Sequence, residues 1–345
     1  MKLATQRGLR DSADRLGGAR LPLPVLLDEV TALFARSLPY DCGSVHTVDP
    51  LTVTMSSCRL LDEPPDGEQI AVYEYQRQDV NRLSELASGP RGCGLLSAAT
   101  GQRPERSPRY RELLAPAGIA DELRAVFTVD GACWGAFAWY RTAPFAEDEV
   151  ELVHELGPVL ARAFRAAAAA TLGTVADDRR RPPGVLLVDG GRRIRWATAP
   201  ARSWLSELGF DGEPAGAALP HELRSVAERA RVDGVAAEVR TLGRSGRWVA
   251  AHASPTDEAG QVAVVLEHPT ADSIAPLLAA AYGLTERERA LAGLVLRGFS
   301  TDRIAARLVI SPHTVQDHLK SIFGKVGVRS RRELVGRLSL GSGTA

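Results

Sequence analysis

Four cysteines and seven histidines are the side chains best suited to nucleophilic or metal chemistry, and their spacing argues against both. Cys42, Cys58, Cys93 and Cys133 form no Cys-x-x-Cys pair and have no histidine at metal-ligand spacing. They read as reduced, mostly buried small residues. His46, His154, His221, His252 and His268 are equally scattered, so no catalytic residue, metal ligand or cofactor is assigned. A GxxxxGK[ST] phosphate loop is absent as well. Charge offers a different chemistry. Between Gly283 and Leu340 eleven Lys and Arg face five Asp and Glu, a net +6 in a chain whose charges sum to zero, so the remainder carries −6. A basic unit joined to an acidic body suits a polyanionic partner, with chance clustering on a solvated helical face as the alternative.

The elements that must position this basic segment are signalled by short-range caps. Thr285 followed by Glu288 is a capping box, so a helix starts there, buries Leu291, Leu294 and Val295, and stops at Gly298. A second helix follows Ser300 and Thr301 and buries Ile304, Ala305 and Leu308. Val309 and Ile310 alone separate it from the next cap, Ser311, with Pro312 as a tolerated first helical residue. Two helices joined by so short a turn cross steeply. The third helix buries Val315, Leu319, Ile322, Phe323 and Val326, and leaves Thr314, Gln316, Asp317 and Lys320 on other faces. A fourth helix, capped by Ser330, buries Leu334 and Leu338.

The run LTERERALAGLVLRGFSTDRIAARLVISPHTVQDHLKSIFGKVGVRSRRELVGRL, residues 284 to 338, resembles the LuxR-type (GerE-like) helix-turn-helix domain along its length. The resemblance implies that the third helix lies in the major groove of double-stranded DNA. It implies base-facing positions at Gln316, Asp317 and Lys320: Gln pairs with adenine, Lys donates to guanine and Asp accepts from cytosine. The family often carries Lys where this chain has Gln316. Ser311, His313, Thr314, Lys325 and Arg329 suit phosphate contacts, which fix register without reading sequence. His318 matches a frequent family residue, with half-buried packing and phosphate contact as alternatives. On the fourth helix, Leu334, Val335 and Leu338 resemble the family's dimerisation surface, and plain core packing is the other reading of that stripe. A homodimer would read two half-sites.

Upstream, the first twenty residues lack hydrophobic period and read as a loose tail. Helical spacing follows through Val25, Leu26, Val30, Leu33 and Phe34, then strands at Ser44–Val48 and Leu51–Leu60, and a helical stretch through Val80, Leu83 and Leu86. A hairpin is expected over Leu123–Val129 and Cys133–Tyr140 around Asp130-Gly131, followed by a long helix from Glu147 with Pro158 inside it. This order, ending in TVDGACWGAFAWYRTAPFAEDEVELVHELGPVLARAF, resembles a GAF domain over residues 21 to 170. Residues 171 to 183 have linker composition. Short strands at Gly184–Val188 and Arg193–Ala197, a helix at Pro200–Leu208 and three strands at Val235–Leu242, Trp248–Ala253 and Gln261–Glu267 follow. The segment GVLLVDGGRRIRWATAPARSWLSEL resembles the opening of a PAS domain, covering 184 to 268; an unrelated small α+β module is the alternative. The five tryptophans read as core.

The expected fold is therefore multidomain: an α+β GAF-like domain, a small α+β PAS-like domain, and an all-α four-helix helix-turn-helix domain over 279 to 340. The expected function is sequence-specific, non-enzymatic transcription regulation by a cytoplasmic protein. Its expected partners are double-stranded DNA, a second copy, RNA polymerase, and a small-molecule or protein signal, with no membrane. The alternative is a thiol-based redox sensor or a GAF-type methionine sulfoxide reductase using one of the four cysteines, which requires an exposed thiol of depressed pKa.

Overall fold

The structure is a computed structural model that describes residues 3–19, 21–36, 38–62, 69–172, 181–258 and 260–338. Contrary to the loose tail expected from the sequence, the chain opens with helix α1 (Leu3–Gly18). Leu9 and Ala13, one turn apart, are buried against the long helix α6 (Glu147–Leu172), and Arg10 donates to Glu155 of that helix at 3.1 Å through Nε. The stripe is too short and too poor in large apolar residues to announce itself by period. α2 (Leu23–Ala35) follows, with Leu26, Val30, Leu33 and Phe34 inward as their spacing predicts.

The first sheet is built from β1 (Cys42–Asp49), β2 (Thr54–Leu61), β3 (Cys93–Leu95), β4 (Asp121–Val129) and β5 (Ala132–Arg141), in antiparallel order β2-β1-β5-β4-β3. Short helices α3 (Ile70–Tyr75), α4 (Leu83–Ser88) and α5 (Leu96–Ala99), with a 3-10 turn at Pro104–Arg106 and a π turn at Tyr110–Leu114, lie between β2 and β4. The β4–β5 turn has Asp130 and Gly131 at φ 52° and 73°, the conformation an Asp-Gly hairpin selects. α6 (Glu147–Leu172) continues through Pro158. Alternate residues of the central strands enter different clusters: Phe127, Phe137 and Trp139 pack with Phe34 and Phe164, whereas Val126 packs with Leu83 and Leu86. Both faces are covered, which is why β1 and most of β5 are buried without alternation.

The second sheet comprises β6 (Gly184–Val188), β7 (Ile194–Ala197), β8 (Ala237–Leu242), β9 (Trp248–Pro255) and β10 (Val262–Glu267), in order β7-β6-β10-β9-β8. Renumbered from its own first strand, this is the order of the first sheet. α7 (Ala199–Glu207) and α8 (His221–Asp233) cover one face, placing Trp204, Leu223 and Val226 over Leu186, Val249 and Val264. The stretch read as a linker is helical at its start, where α6 ends, and its residues 173–180 lie outside the described residues.

The two sheets meet edge to edge through β2, β8 and α8. Asp49, fully buried, accepts from Arg240 at 2.8 Å (Nη1) and 3.1 Å (backbone N). Arg229 donates to Thr54 Oγ1 at 2.9 Å, and Thr241 donates to the Ser56 carbonyl. α9 (Ala271–Ala281), for which the sequence carries no helical signal, is apolar beyond Asp272 and Ser273 of its first turn, with Ile274, Leu277, Leu278 and Ala279 to Ala281 buried. Such a helix needs neighbours on every side; it packs on α6 behind and on the C-terminal helices α10 (Glu286–Leu296) and α13 (Arg331–Leu338) in front. Between those two run α11 (Thr301–Leu308) and α12 (Pro312–Val326).

Candidate DNA interface

Each C-terminal helix begins where its cap requires. Thr285 Oγ1 accepts from Glu288 N at 3.3 Å and Glu288 Oε2 accepts from Thr285 N at 2.7 Å, closing the capping box. Ser300 accepts from Arg303 N at 3.4 Å, Ser311 from Thr314 N at 3.0 Å and Ser330 from Glu333 N at 3.1 Å. α11 ends at Val309 in the left-handed region (φ 54°), from which the backbone turns at once into α12.

α12 divides cleanly. Val315, Leu319, Ile322 and Val326 are buried, while Gln316, Asp317 and Lys320 are exposed together on the outer face. Asp317 sits between His313 Nδ1 at 3.1 Å and Lys320 Nζ at 3.9 Å, and Gln316 Nε2 donates to Thr301 Oγ1 at 3.4 Å. Thr301, at the start of α11, is marked in the sequence only as a helix-start residue; it lies fifteen residues from Gln316, and no local spacing signals the contact. Ser311 and His313 are exposed, Thr314 is half-buried with its hydroxyl 2.8 Å from Ser311 Oγ, and Arg329 is exposed at the turn into α13. His318 is half-buried.

Lys325 stands apart from this group. Its Nζ donates to Glu288 Oε2 at 2.6 Å, and Ser321 donates to Glu288 Oε1 at 2.7 Å, so the cation expected on phosphate ties α12 to α10. Burial works against the Glu288 carboxylate, but the bonds from Lys325, Ser321 and Thr285 outweigh it and hold the carboxyl down at about 2. Leu334 and Leu338 are fully buried within the chain, where α13 meets α9, α10 and α12; Val335 is half-buried. Core packing therefore describes the two leucines here, and Arg337 Nε adds a 3.0 Å bond to Tyr282 Oη.

The thiols have the opposite character from reactive cysteines. Cys42, Cys93 and Cys133 are buried and Cys58 is half-buried. Burial pushes Cys42 and Cys93 up to about 11, and Cys58 and Cys133 up to about 12, whereas a nucleophilic thiolate needs a lowered value. Among the described residues no three His, Cys, Asp or Glu side chains are grouped to hold a metal ion, and no helix is long and apolar enough to cross a membrane.

Four capped helices with a three-residue turn between the second and third, and a polar face on the third, define a helix-turn-helix domain. Residues 283–338 match the family model described as bacterial regulatory proteins, luxR family, and this C-terminal segment is a LuxR-family helix-turn-helix domain. A 71-residue stretch, 21% of the chain, is 35% identical to the HTH-type transcriptional regulator MalT of Serratia proteamaculans, and the match spans 7% of that regulator's length. Among solved structures, the VqmA dimer of Vibrio cholerae is 17% identical with a TM-score of 0.23, over 46% of this chain and 82% of that one. SdiA of Escherichia coli is 14% identical with a TM-score of 0.29, over 90% of this chain and 89% of that one. At these scores neither likeness bears on the overall fold.

Proposed function

We propose that the chain is a sequence-specific DNA-binding transcription regulator in which α12 enters the major groove and presents Gln316, Asp317 and Lys320 to base edges. Ser311, His313, Thr314 and Arg329 contact the flanking phosphates. The observation that carries this reading is the common outward face of the three polar side chains, opposite Val315, Leu319, Ile322 and Val326, in a segment matching a regulatory DNA-binding family. The net +6 of the segment supports attraction to phosphate. The functional unit is a homodimer, for which α13 offers Val335 and its outward side rather than Leu334 and Leu338. Residues 21 to 170 and 184 to 268 act as GAF-like and PAS-like sensory domains that gate the DNA-binding unit. Support for gating comes from the repeated strand order and from α9, whose buried side chains pack on both α6 and α13.

Selection from a pool of random duplexes by the full-length protein tests the reading. A recurrent sequence should be enriched, and affinity for it should fall steeply as salt rises. Recovery of unenriched pools, with retention indifferent to salt, would remove the reading.

A further inference from the structure

The polar side chains on the outer face of α12 are held in two different ways. Asp317 has its partners on α12 itself, His313 Nδ1 at 3.1 Å and Lys320 Nζ at 3.9 Å. Gln316 is held from another helix, by the 3.4 Å bond from its Nε2 to Thr301 Oγ1 of α11. Both ends of that bond stand on packed backbone. Thr301 is half-buried at the start of α11, next to the cap Ser300 and one turn before the buried Ile304 and Ala305. Val315, the residue before Gln316, is fully buried, and α11 packs on α12. The helix pair therefore fixes where the hydroxyl stands relative to the amide. At the first position of a helix a Thr hydroxyl has no helical carbonyl a turn earlier to bond, so it is open to a partner across the turn.

The amide chemistry shows what this bond does for base reading. A Gln amide has two N–H donors and one acceptor oxygen. With one N–H given to Thr301, the other N–H and Oε1 remain for a base edge, the combination that adenine matches with N7 and N6. Three side-chain torsions place a Gln amide, and the last of them is broad. An untethered amide turns to suit whichever edge it meets. One held from α11 turns less freely, so a wrong base faces a donor or acceptor it does not match.

We propose that Thr301 is a specificity-determining residue that acts through Gln316: it touches no base, but positions the Gln316 amide and so sharpens discrimination at the one base pair that Gln316 reads. The proposal rests on the reading of α12 given above.

The duplex enriched by the full-length protein, with its single-base variants, supplies the probes for competition binding. Gln316→Ala first marks the base pair at which discrimination is lost. At that pair Thr301→Val, which keeps the branched shape and removes the hydroxyl, should lower discrimination about two- to tenfold. Thr301→Ser, which keeps the hydroxyl, should not. Discrimination at the pair marked by Lys320→Ala should stay as in the wild type. In the Gln316→Ala background Thr301→Val should change nothing further, as expected of two residues acting through one contact. If the valine variant does not fold, Thr301→Ala makes the same comparison. Equal weakening on every duplex would make Thr301 a phosphate contact and overturn the proposal. So would an effect that persists in Gln316→Ala, or full discrimination without the hydroxyl. Enrichment of no duplex is a separate result: it would remove base reading by α12, and this proposal with it.

Discussion

The first sheet and α12 use charge in opposite ways. Beneath α3 and α4, Glu122 accepts from Arg109 at 2.7 Å and from Arg124 at 2.8 Å, Arg124 reaches Glu74 at 2.8 Å, and Arg109 lies 3.3 Å from Asp79, all in side chains 4% exposed or less. On α12 the His313–Asp317–Lys320 row is open to solvent, with side-chain exposures of 87%, 56% and 78%. A buried network fixes one arrangement because any unpaired member is costly. An exposed row contributes little to stability and stays available to a partner. The difference teaches where to look for function: the charges that hold the fold are out of reach, and those that can be read are the ones the fold does not need.

The largest effect should come from breaking the buried side of this comparison. Glu122→Gln leaves Arg109 and Arg124 short of a charge partner and should cost about 3–5 kcal/mol in urea unfolding. Glu74→Gln should cost less. Burial outweighs Arg124 there and raises the Glu74 carboxyl above its usual range, whereas at Glu122 the two guanidiniums overcome burial and lower it. Next come the residues proposed to read bases. Lys320→Ala or Gln316→Ala should change discrimination at one base position by about 1–3 kcal/mol in competition binding, with unfolding shifted by under about 0.5 kcal/mol. If unfolding moves as far as binding, the two regions are not separable as described.

A smaller effect is expected where the regions' logic mixes, at the Glu288–Lys325 strut. Glu288→Gln should destabilise the C-terminal helices by about 1 kcal/mol at neutral pH. The folded carboxyl is held at about 2 against an ordinary 4.5, so its contribution is complete above about 4.5 and is lost as pH falls toward 2. In the variant that part of the acid dependence should vanish, which a pH series of urea melts would record. Smallest is Val309→Gly. Val309 is a β-branched residue at positive φ, 89% exposed, so glycine relieves strain without losing packing and should stabilise by about 0.5–1 kcal/mol in thermal melts.

The C-terminal helices were legible because their signals act over three or four residues: Thr285, Ser300, Ser311 and Ser330 each bond a backbone N–H three positions on. The β4–β5 hairpin and the burial of Leu26, Val30 and Phe34 were legible for the same local reason. α1 escaped because Leu9 and Ala13 make a thin stripe. α8 carries Leu223, Val226, Ala227 and Ala230 at helical spacing within a charged run that masks them. α9 has no polar face to define a period. The pairing of Gln316 with Thr301 and of Lys325 with Glu288 spans fifteen and thirty-seven residues, and only the fold brings those partners together.

Methylation interference on a selected binding site tests the central claim most directly, because methyl groups can be placed separately on guanine N7 in the major groove and adenine N3 in the minor groove. Entry of α12 into the major groove predicts that N7 methylation at a small set of guanines blocks binding, and that Lys320→Ala loses sensitivity at one of them. Interference confined to adenine N3, with the wild-type and Lys320→Ala patterns the same, would contradict it.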